Sequence, residues 1–347
     1  MIKIAGKEVG DGAAPFIVAE VGINHNGDLD KALAMIAVAK AAGCDAIKFQ
    51  TFKAAEFCGD PKQLFTYKSQ GREVTESMLA MFTRYEFPPA AWKAIKARCD
   101  ETGILFLSTP QNRSDLDLLL TLGLAAVKIG SDDFTNLPLI EDYAKEGLPL
   151  ILSCGMAELS EVKRALAAAG HPKRPVALLV CTSEYPTPPE SANLRRLATL
   201  RVEFPGLVLG FSDHTQGAAA AAAAVALGAS FFEKHFTLDR DLPGPDHWFS
   251  ENPETFAVWT DSIRRAHAML GTGRVEPTPA EAKMRVLARR SLVVLKNTAA
   301  GETLTAANLG ARRPGNGLPP ERLAKILGLK AARALKAGDL LKEDDWA

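Results

Sequence analysis

Cysteine is scarce in this chain of 347 residues, and its placement excludes a disulfide framework. The five cysteines are odd in number, scattered, and never arranged as a Cys-x-x-Cys pair. This usage is typical of a reducing compartment, so we expect a cytoplasmic protein in which the thiols are small buried side chains. The positions are Cys44, Cys58, Cys99, Cys154 and Cys181.

An excess of charge of either sign is also absent. Lys+Arg and Asp+Glu both number 41, so the formal net charge is zero. Nothing global therefore favours nucleic acid or an anionic membrane surface as a partner, and any anion-binding site must be local. The N-terminus has no basic stretch followed by an apolar signal segment. The longest low-polarity run, residues 217–232, is mostly alanine, and we expect a buried helix there rather than a membrane span.

Short apolar runs are abundant, and they alternate with segments of helical composition. Near-continuous apolar strands alternating with helices indicate a parallel sheet that is covered on both faces. Eight such units in roughly 250 residues predict the α/β fold class, as a (β/α)8 TIM barrel. The predicted strands are residues 16–22, 45–51, 104–110, 126–131, 149–155, 176–183, 207–214 and 229–237, and the helical segments include residues 29–42, 89–102, 114–122, 159–169 and 217–227.

Polar or ionisable residues end every one of these strands. The active site of a (β/α)8 barrel lies at the C-terminal ends of its strands. Ordinary loop polarity would explain one such ending, but we do not favour it for all eight. We therefore expect a site built from strand ends.

The stretch 231–236 places three ionisable residues inside an apolar strand. Strand alternation sends Glu233 and His235 to one face and Lys234 to the other. If the neighbouring strand 207–214 ends level with it, His214 joins them. Two imidazoles suit a divalent metal whose remaining coordination positions are open, and an acid/base site is the alternative. We expect Lys234 to be structural and paired behind the barrel.

Lysines and hydroxyl groups surround the same end of the predicted barrel. We interpret Lys48 and Lys128 as cations without matching acids, which predicts a pocket that binds an anion such as phosphate. The alternative for the hydroxyl residues is that each one caps the helix that follows it. Glu20 ends the first strand and could bind a hydroxyl or position water. The pattern fits the joining of a phosphorylated three-carbon donor to a carbonyl, but also a metal aldolase or a phosphosugar isomerase. The hydroxyl residues are Thr109, Ser131, Ser153, Ser183 and Ser212.

Two long loops and a C-terminal module complete the predicted organisation. Residues 52–88, with a helical piece at 76–85, and residues 239–252 are candidate lids. Residues 1–275 are predicted as the barrel, 276–285 as a linker and 286–347 as a small β-rich domain. A weak internal repeat at 300–304 and 337–341 suggests that this domain is pseudo-symmetric.

Seven motifs in this order resemble the sialic acid synthase family, which includes N-acetylneuraminate, legionaminic and pseudaminic acid synthases. The resemblance covers essentially the whole chain, and it implies that the C-terminal module is an antifreeze-like (SAF, β-clip) domain. The motifs are Ala-Glu-Val-Gly-Ile-Asn-His-Asn-Gly at 19–27, Lys-Phe-Gln at 48–50, Val-Lys-Ile-Gly-Ser at 127–131, Cys-Thr-Ser-Glu-Tyr-Pro at 181–186, Phe-Ser-Asp-His at 211–214, Glu-Lys-His-Phe at 233–236 and Arg-Pro-Gly-Asn-Gly at 313–317.

The resemblance implies an enzyme that condenses phosphoenolpyruvate with an open-chain N-acetylmannosamine-type sugar and releases phosphate. His214 and His235 would hold a divalent ion, most simply Mn2+, with Mg2+ or Co2+ as alternatives. Glu20 would handle the sugar hydroxyl or the water, and Glu233 would act on water at the metal. Phosphoenolpyruvate would be bound by Lys48, Thr109, Lys128, Ser131, Ser153, Ser183 and Ser212.

The resemblance also implies a sugar site and an assembly. Gln50, Tyr185 and Asp246 would line the sugar site, and Arg313 would reach it from a second subunit in a domain-swapped homodimer. Glu184 in the 181–186 motif is closer to the legionaminic acid branch. A legionaminic or pseudaminic acid synthase that uses a diacetamido-trideoxyhexose is therefore one alternative, a metal-dependent aldolase is a more remote one, and a non-enzymatic carbohydrate-binding protein is a third.

Overall fold

The computed structural model describes residues 1–347, which form fourteen strands, thirteen α-helices and one short 3-10 helix at Pro320–Arg322. The strands are β1 (Ile2–Ile4), β2 (Lys7–Val9), β3 (Phe16–Gly22), β4 (Ala46–Thr51), β5 (Leu64–Ser69), β6 (Arg72–Ser77), β7 (Leu105–Pro110), β8 (Val127–Ile129), β9 (Leu150–Ser153), β10 (Val176–Cys181), β11 (Val208–Asp213), β12 (Phe231–His235), β13 (Ser291–Val294) and β14 (Leu309–Arg312). The helices are α1 (Leu29–Ala41), α2 (Ala54–Phe57), α3 (Met78–Tyr85), α4 (Pro89–Thr102), α5 (Arg113–Thr121), α6 (Leu137–Ala144), α7 (Leu159–Ala168), α8 (Pro189–Ala192), α9 (Arg196–Glu203), α10 (Ala219–Ala226), α11 (Pro253–Met269), α12 (Pro279–Ala288) and α13 (Leu323–Ile326).

Eight parallel strands close into a barrel, which confirms the predicted (β/α)8 fold. Their order around the barrel is β3-β4-β7-β8-β9-β10-β11-β12, and β12 pairs with β3 to close it. A helix follows each strand, and the apolar core between strands and helices includes the large buried rings Trp92 and Trp259. No helix in the chain combines the length and the hydrophobicity needed to cross a bilayer.

Alternation along each strand divides the side chains between the helix-facing core and the barrel interior. In β3, Ile17 and Ala19 pack in the core between strands and helices, whereas Phe16 and Val18 belong to a second apolar cluster with Ile2, Ile4 and Val9 of the β1–β2 hairpin. The next residue with the parity of Phe16 and Val18 is Glu20. The inward-facing positions of the other strands follow the same alternation. They make the interior apolar near the N-terminal ends of the strands and place ionisable side chains near the C-terminal ends.

The long excursion after β4 differs from its prediction. Helix α3 begins at Met78 rather than at residue 76, and an antiparallel hairpin that the sequence analysis did not predict, β5–β6, precedes it. The hairpin turns at Gln70 and Gly71, both of which have positive φ, as in the type I′ turns that suit two-residue hairpin loops.

The C-terminal unit has its own small apolar core, which includes Leu304 and Leu341. The predicted internal repeat is visible in its hydrogen bonds. The amide of Thr305 donates to the Asn308 side chain at 2.7 Å, and the amide of Lys342 donates to the Asp345 side chain at 2.8 Å. Each copy therefore ends in the same turn, in which a backbone amide donates to the side chain three residues later.

Two compact units divide the chain, Met1–Gly271 and Thr272–Ala347. The sequence analysis placed the end of the barrel four residues later, at residue 275. Residues 276–285, predicted as a linker, include the first seven residues of helix α12, whose N-terminus is capped by the side chain of Thr278.

Gly210 in β11 offers a test of strand packing. A Cβ atom there would lie 2.4 Å from Leu179 Cδ2 and 2.5 Å from the Phe231 carbonyl oxygen, which is backbone and cannot rotate away. We expect Gly210→Ala to lower the free energy of unfolding by about 1–3 kcal/mol in urea denaturation. Gly59→Ala is the control, because a Cβ at Gly59 meets nothing within 4 Å. Equal stability of Gly210→Ala and wild type would contradict this packing.

Candidate active site

A cavity of about 540 Å³ opens at the C-terminal ends of the barrel strands. Fourteen of the fifteen residues predicted for the site line it, and the exception is Arg313, which belongs to the C-terminal unit. The strand-end rule therefore located the cavity correctly. The residues are Glu20, Lys48, Gln50, Thr109, Lys128, Ser131, Ser153, Ser183, Tyr185, Ser212, His214, Glu233, His235 and Asp246.

Two lysines and two glutamates meet at the floor of this cavity. Nζ of Lys48 lies 2.5 Å from Oε2 of Glu20 and 3.7 Å from Oε2 of Glu233, and Nζ of Lys128 lies 3.3 Å from Oε1 of Glu233. The expectation that these lysines lack matching acids is wrong. Pairing of β12 with β3 and of β3 with β4 sets the glutamates beside Lys48, and Lys128 reaches Glu233 from β8. Buried charges require such partners.

The two glutamates differ in acidity. Burial raises the pKa of Glu20 to about 7, because it outweighs the attraction to Lys48. Burial acts on Glu233 in the same direction, but Lys128 and Lys48 together outweigh it and lower the pKa to about 2. Glu233 is therefore the permanent carboxylate, and Glu20 is the group that can exchange a proton near neutral pH. When Glu20 is protonated, the four groups carry an excess positive charge.

Five hydroxyl groups surround the lysines, and two of them have no hydrogen-bond partner. Thr109 accepts a hydrogen bond from Lys48 at 3.0 Å, and Ser212 donates one to Glu233 at 3.1 Å. The hydroxyls of Ser153 and Ser183 are buried and unpaired. Unpaired buried donors beside ammonium groups are suited to an anion with several oxygens.

Glycine makes part of this hydroxyl cluster possible. The amide of Gly155 donates to Ser131 Oγ at 3.0 Å, and a Cβ on Gly155 would lie 2.4 Å from Ser183 Oγ. Only glycine therefore lets the chain after β9 pass this close to both serines, which leaves their oxygens directed into the cavity.

The two imidazoles that were predicted to bind a metal lie side by side. The rings of His214 and His235 have centroids 5.5 Å apart. His214 Nδ1 lies 2.7 Å from the Thr182 carbonyl oxygen, so this nitrogen donates. Burial acts to lower the pKa of His214, but Cys181 and the Thr182 carbonyl outweigh it and raise the pKa, so Nε2 offers a lone pair once its proton is lost. His235 Nδ1 is buried without a partner. Burial, aided by repulsion from His214 and Lys48, holds the pKa of His235 well below its usual value and keeps it neutral.

These imidazoles fit a divalent ion as two of its ligands. Neutral nitrogen with a free lone pair is the form that metals bind, and the orphaned His235 nitrogen fits such a contact. No group of three or more His, Cys, Asp or Glu side chains is arranged to hold a metal. Water or substrate oxygen would therefore have to supply the remaining ligands.

Three of the residues predicted for the sugar also line the cavity. Gln50 donates to Glu20 Oε1 at 3.3 Å, and the Tyr185 ring packs 4.2 Å from the His214 ring. Burial raises the pKa of Asp246 to about 6, while nearby His214 partly offsets it. Asp246 Oδ2 lies near Gln50 and Glu20, since all three approach the position of a Cβ on Gly22 within 3.6 Å.

A second buried ion network supports the site from behind. Lys234, predicted to be structural, points away from the cavity and lies 3.0 Å from Asp213 Oδ2 and 3.7 Å from Glu251. The indole N–H of Trp259 also donates to Asp213 Oδ2, at 2.9 Å. Because Asp213 precedes His214 and Lys234 precedes His235, this network fixes the two strand ends that carry the imidazoles.

Comparison with known proteins assigns the family. A family model described as the NeuB family matches residues 35–275, and one described as the SAF domain matches residues 289–346. The chain belongs to the NeuB family. The predicted resemblance to sialic acid synthases and the predicted C-terminal SAF domain are both confirmed.

Relatives of this NeuB-family protein match along nearly its whole length. The N,N'-diacetyllegionaminic acid synthase of Legionella pneumophila is 36% identical, over 98% of this chain and 97% of that relative. The N-acetylneuraminate-9-phosphate synthase of Mus musculus is 33% identical, over 98% and 94%. A crystal structure of the N-acetylneuraminic acid synthetase of Leptospira borgpetersenii is 35% identical with a TM-score of 0.73, and the match covers 82% of this chain and 94% of that one.

One side of the cavity in this NeuB-family protein is formed by the two predicted lid segments, residues 52–88 and 239–252, although the sequence analysis did not identify the rings within 52–88. Aromatic rings from α2, α3, the β5–β6 hairpin and the loop after β12 line it. The alternating β-formers of 64–69 and 72–77 on either side of Gln70-Gly71 were the available hairpin signal. The lining residues that the sequence analysis did not single out include Phe57, Phe65, Tyr67, Lys68, Phe82, Gln111, Asp132 and Met156.

The raised pKa of Glu20 predicts a pH-dependent stability. Because its folded value of about 7 lies above the usual 4.5, the native state holds the proton more tightly, and the free energy of unfolding falls as pH rises between these values. Glu20→Gln removes this loss. We expect the variant to gain about 1–3 kcal/mol relative to wild type between pH 5 and pH 8, measured by urea unfolding.

The control for Glu20→Gln is Glu8→Gln, since Glu8 is an exposed surface residue. Its stability relative to wild type should not change between the two pH values. A Glu20→Gln difference that is equally flat would contradict the assignment of Glu20 as the carboxyl group of high pKa.

Proposed function

We propose that this protein is a nonulosonic acid synthase that condenses phosphoenolpyruvate with an open-chain N-acetylmannosamine-type sugar and releases phosphate. One observation carries the proposal. Lys48, Lys128 and the unpaired hydroxyls of Ser153 and Ser183 line the same cavity as the imidazole pair, so cations and free donors for an anion stand together with two potential metal ligands. Membership of the NeuB family supports the same reaction.

Phosphoenolpyruvate would lie on the floor of the cavity. Its carboxylate and phosphate need cationic and hydroxyl donors, which are the groups that Lys48, Lys128, Thr109, Ser131, Ser153, Ser183 and Ser212 present. The dianionic phosphate would also replace Glu20 as the partner of Lys48. Glu20 would then be free of this ion pair and available for proton transfer to the substrate.

The reaction balances with water as the third reactant. C3 of phosphoenolpyruvate forms a bond to the aldehyde carbon of the sugar, water adds at C2, and phosphate leaves with cleavage of its C–O bond to C2. A divalent ion, which we propose to be Mn2+, held by His214 and His235 would act as a Lewis acid toward the aldehyde.

The two carboxyl groups have different roles. Glu233 stays ionised across the physiological range, which makes it a weak base, and it is suited to hold Lys48 and Lys128 and to orient the water at the metal. Glu20, with its pKa near neutrality, is suited to give a proton to the new sugar hydroxyl and to recover it. Gln50, Tyr185 and Asp246 would orient the sugar over them.

The acceptor sugar has one alternative within the same proposal. Relatives of similar identity carry the names of legionaminic acid and N-acetylneuraminate-9-phosphate synthases. A diacetamido-trideoxyhexose, the acceptor of a legionaminic or pseudaminic acid synthase, is therefore the alternative acceptor.

Phosphate release from phosphoenolpyruvate, measured with a panel of acetamidohexoses, tests the reaction. We expect release that depends on sugar, that EDTA abolishes, and that Mn2+ restores. His235→Ala should lose at least about 100-fold in kcat, since metal polarisation of a carbonyl is worth several kcal/mol. Absence of phosphate release with every sugar would refute the synthase. Aldol cleavage of the nonulosonic acid without phosphoenolpyruvate would instead indicate the metal-dependent aldolase.

A domain-swapped homodimer is part of the same proposal. Helix α12 buries none of its residues, and Met284, Val286 and Leu287 leave apolar side chains in solvent. An apolar helix without cover suits contact with a second chain. Arg313 is also exposed in the SAF unit, where it would be free to complete the sugar site of the partner.

Mixed dimers test the shared site. Arg313→Ala and Glu233→Gln chains should each be inactive alone. After subunit exchange, half of the dimers contain one chain of each kind, and one of their two sites is intact, so about a quarter of wild-type activity should return. Native mass spectrometry measures the exchange. Proven exchange without recovered activity would contradict a site completed by the partner.

A further inference from the structure

The chain segment that follows β10 contributes to both halves of the candidate site. It contains Ser183, one of the two unpaired hydroxyls, and Tyr185, whose ring packs against His214. Its first residue, Thr182, provides the carbonyl oxygen that accepts a hydrogen bond from His214 Nδ1 at 2.7 Å. A displacement of this segment would therefore disturb the anion donors and the imidazole pair together.

A guanidinium group holds the start of this segment from outside the barrel. Arg196, the first residue of α9, donates from Nη1 to the Cys181 carbonyl oxygen at 3.1 Å and from Nη2 to Thr182 Oγ1 at 2.7 Å. These two bonds fix the peptide group before Thr182 and its side chain. They therefore restrict the direction of the next carbonyl group, which is the one that meets His214.

The same guanidinium group is anchored to its own helix. Nη2 of Arg196 also donates to the Ala192 carbonyl oxygen at 3.1 Å, and Nε donates to the Asn193 carbonyl oxygen at 3.3 Å. Three nitrogens in one plane thus reach four acceptors. The rigid fork of arginine supplies this geometry, whereas the single ammonium group of lysine would satisfy only part of it.

Few other contacts hold the segment in place. The Thr182 hydroxyl donates to the Ser191 carbonyl oxygen at 3.2 Å. At the other end, the Thr187 amide donates to the His214 carbonyl oxygen at 2.8 Å, and the Thr187 hydroxyl donates to the Glu184 carbonyl oxygen at 2.7 Å. Loss of the guanidinium group would leave the Thr182 end with one side-chain contact, so we expect the carbonyl group there to lose its fixed direction.

We propose that Arg196 is a positioning residue that holds the Thr182 carbonyl group and thereby fixes the direction in which His214 presents Nε2 to a divalent ion. Arg196 does not line the cavity, so it acts through the residues it holds. The inference rests on the proposed function, because it takes His214 as a metal ligand, but it concerns metal binding rather than turnover. Outer hydrogen-bond partners of metal ligands change metal affinity by about 10–100-fold.

Mn2+ binding tests the role of Arg196 without turnover. Electron paramagnetic resonance measures free Mn2+ in a titration of the full chain and so gives its Kd. Arg196→Met keeps most of the side-chain length but removes every donor, and it should raise the Kd by at least about tenfold. Arg196→Lys keeps the charge without the fork, so we expect an intermediate Kd.

Thr182→Val tests whether the effect passes through Thr182. It removes the hydroxyl that accepts from Arg196 and keeps the backbone carbonyl group, and it should raise the Kd for Mn2+ by about threefold or more. In the double variant with Arg196→Met, the Kd should rise by clearly less than the product of the two single effects, because both changes break the same contact. An unchanged Kd in Thr182→Val, or fully multiplicative effects, would overturn the inference.

Arg195→Met is the matched control. Arg195 has the same charge and lies one position earlier, but its side chain is exposed and lines a separate surface groove rather than the barrel cavity. Its Kd should stay within about twofold of wild type. Circular dichroism establishes that each variant is folded, and Thr182→Val decides the question if Arg196→Met is not.

Three results in this titration would overturn the inference. They are a wild-type Kd in folded Arg196→Met, an equal loss of affinity in Arg195→Met and Arg196→Met, and a wild-type protein that binds no Mn2+.

Phosphate release separates this inference from the proposed reaction. Mn2+ affinity that depends on Arg196, in a protein that releases no phosphate with any sugar, would support the positioning role and refute the synthase. If the synthase is active, Arg196→Met should need at least about tenfold more Mn2+ for half-maximal release. An unchanged Mn2+ requirement would refute the positioning role and leave the synthase standing.

Discussion

Compensation of buried charge is the constraint on which the candidate site depends. Lys48, Lys128, Glu20 and Glu233 are each almost fully buried, and none could keep its charge there alone. Their arrangement is not symmetrical, since two ammonium groups share Glu233 while Glu20 has one partner. This asymmetry separates the two pKa values, which leaves one stable carboxylate and one carboxyl group that titrates near neutral pH.

The barrel meets that constraint by using both faces of the same strands. Inward residues of β11 and β12 contribute Ser212, Glu233 and His235, and the intervening Lys234 pairs with Asp213 on the outer face. The chain therefore buries charge on both sides of one strand without leaving either side unpaired. Each network restricts the other, because a shift of β12 would break ion pairs on both faces at once.

One side of the cavity, by contrast, is assembled from segments outside the barrel strands. The β5–β6 hairpin and the loop after β12 are far apart in sequence, and the contacts of Gln70 and Ser69 join them. The rigid strand ends and the attached loops thus have different origins and different chemistry. Such a division lets the substrate range of a barrel enzyme change while its reaction is kept.

Local patterns made much of this protein predictable. Near-continuous apolar runs between helical segments identified the eight strands. Alternation with a period of two gave the common direction of Glu233 and His235, because side-chain direction in a strand depends on adjacent residues alone. The motifs identified the family for the same reason, since they are contiguous in sequence. Tertiary structure alone decided that Glu20 and Glu233 neutralise the lysines, since closure of β12 on β3 brings together residues over 200 positions apart. The aromatic side of the cavity was also decided there, because rings such as Phe65 and Trp248 become one surface only through long-range contacts that no local pattern encodes, although the β5–β6 hairpin itself had a local signal.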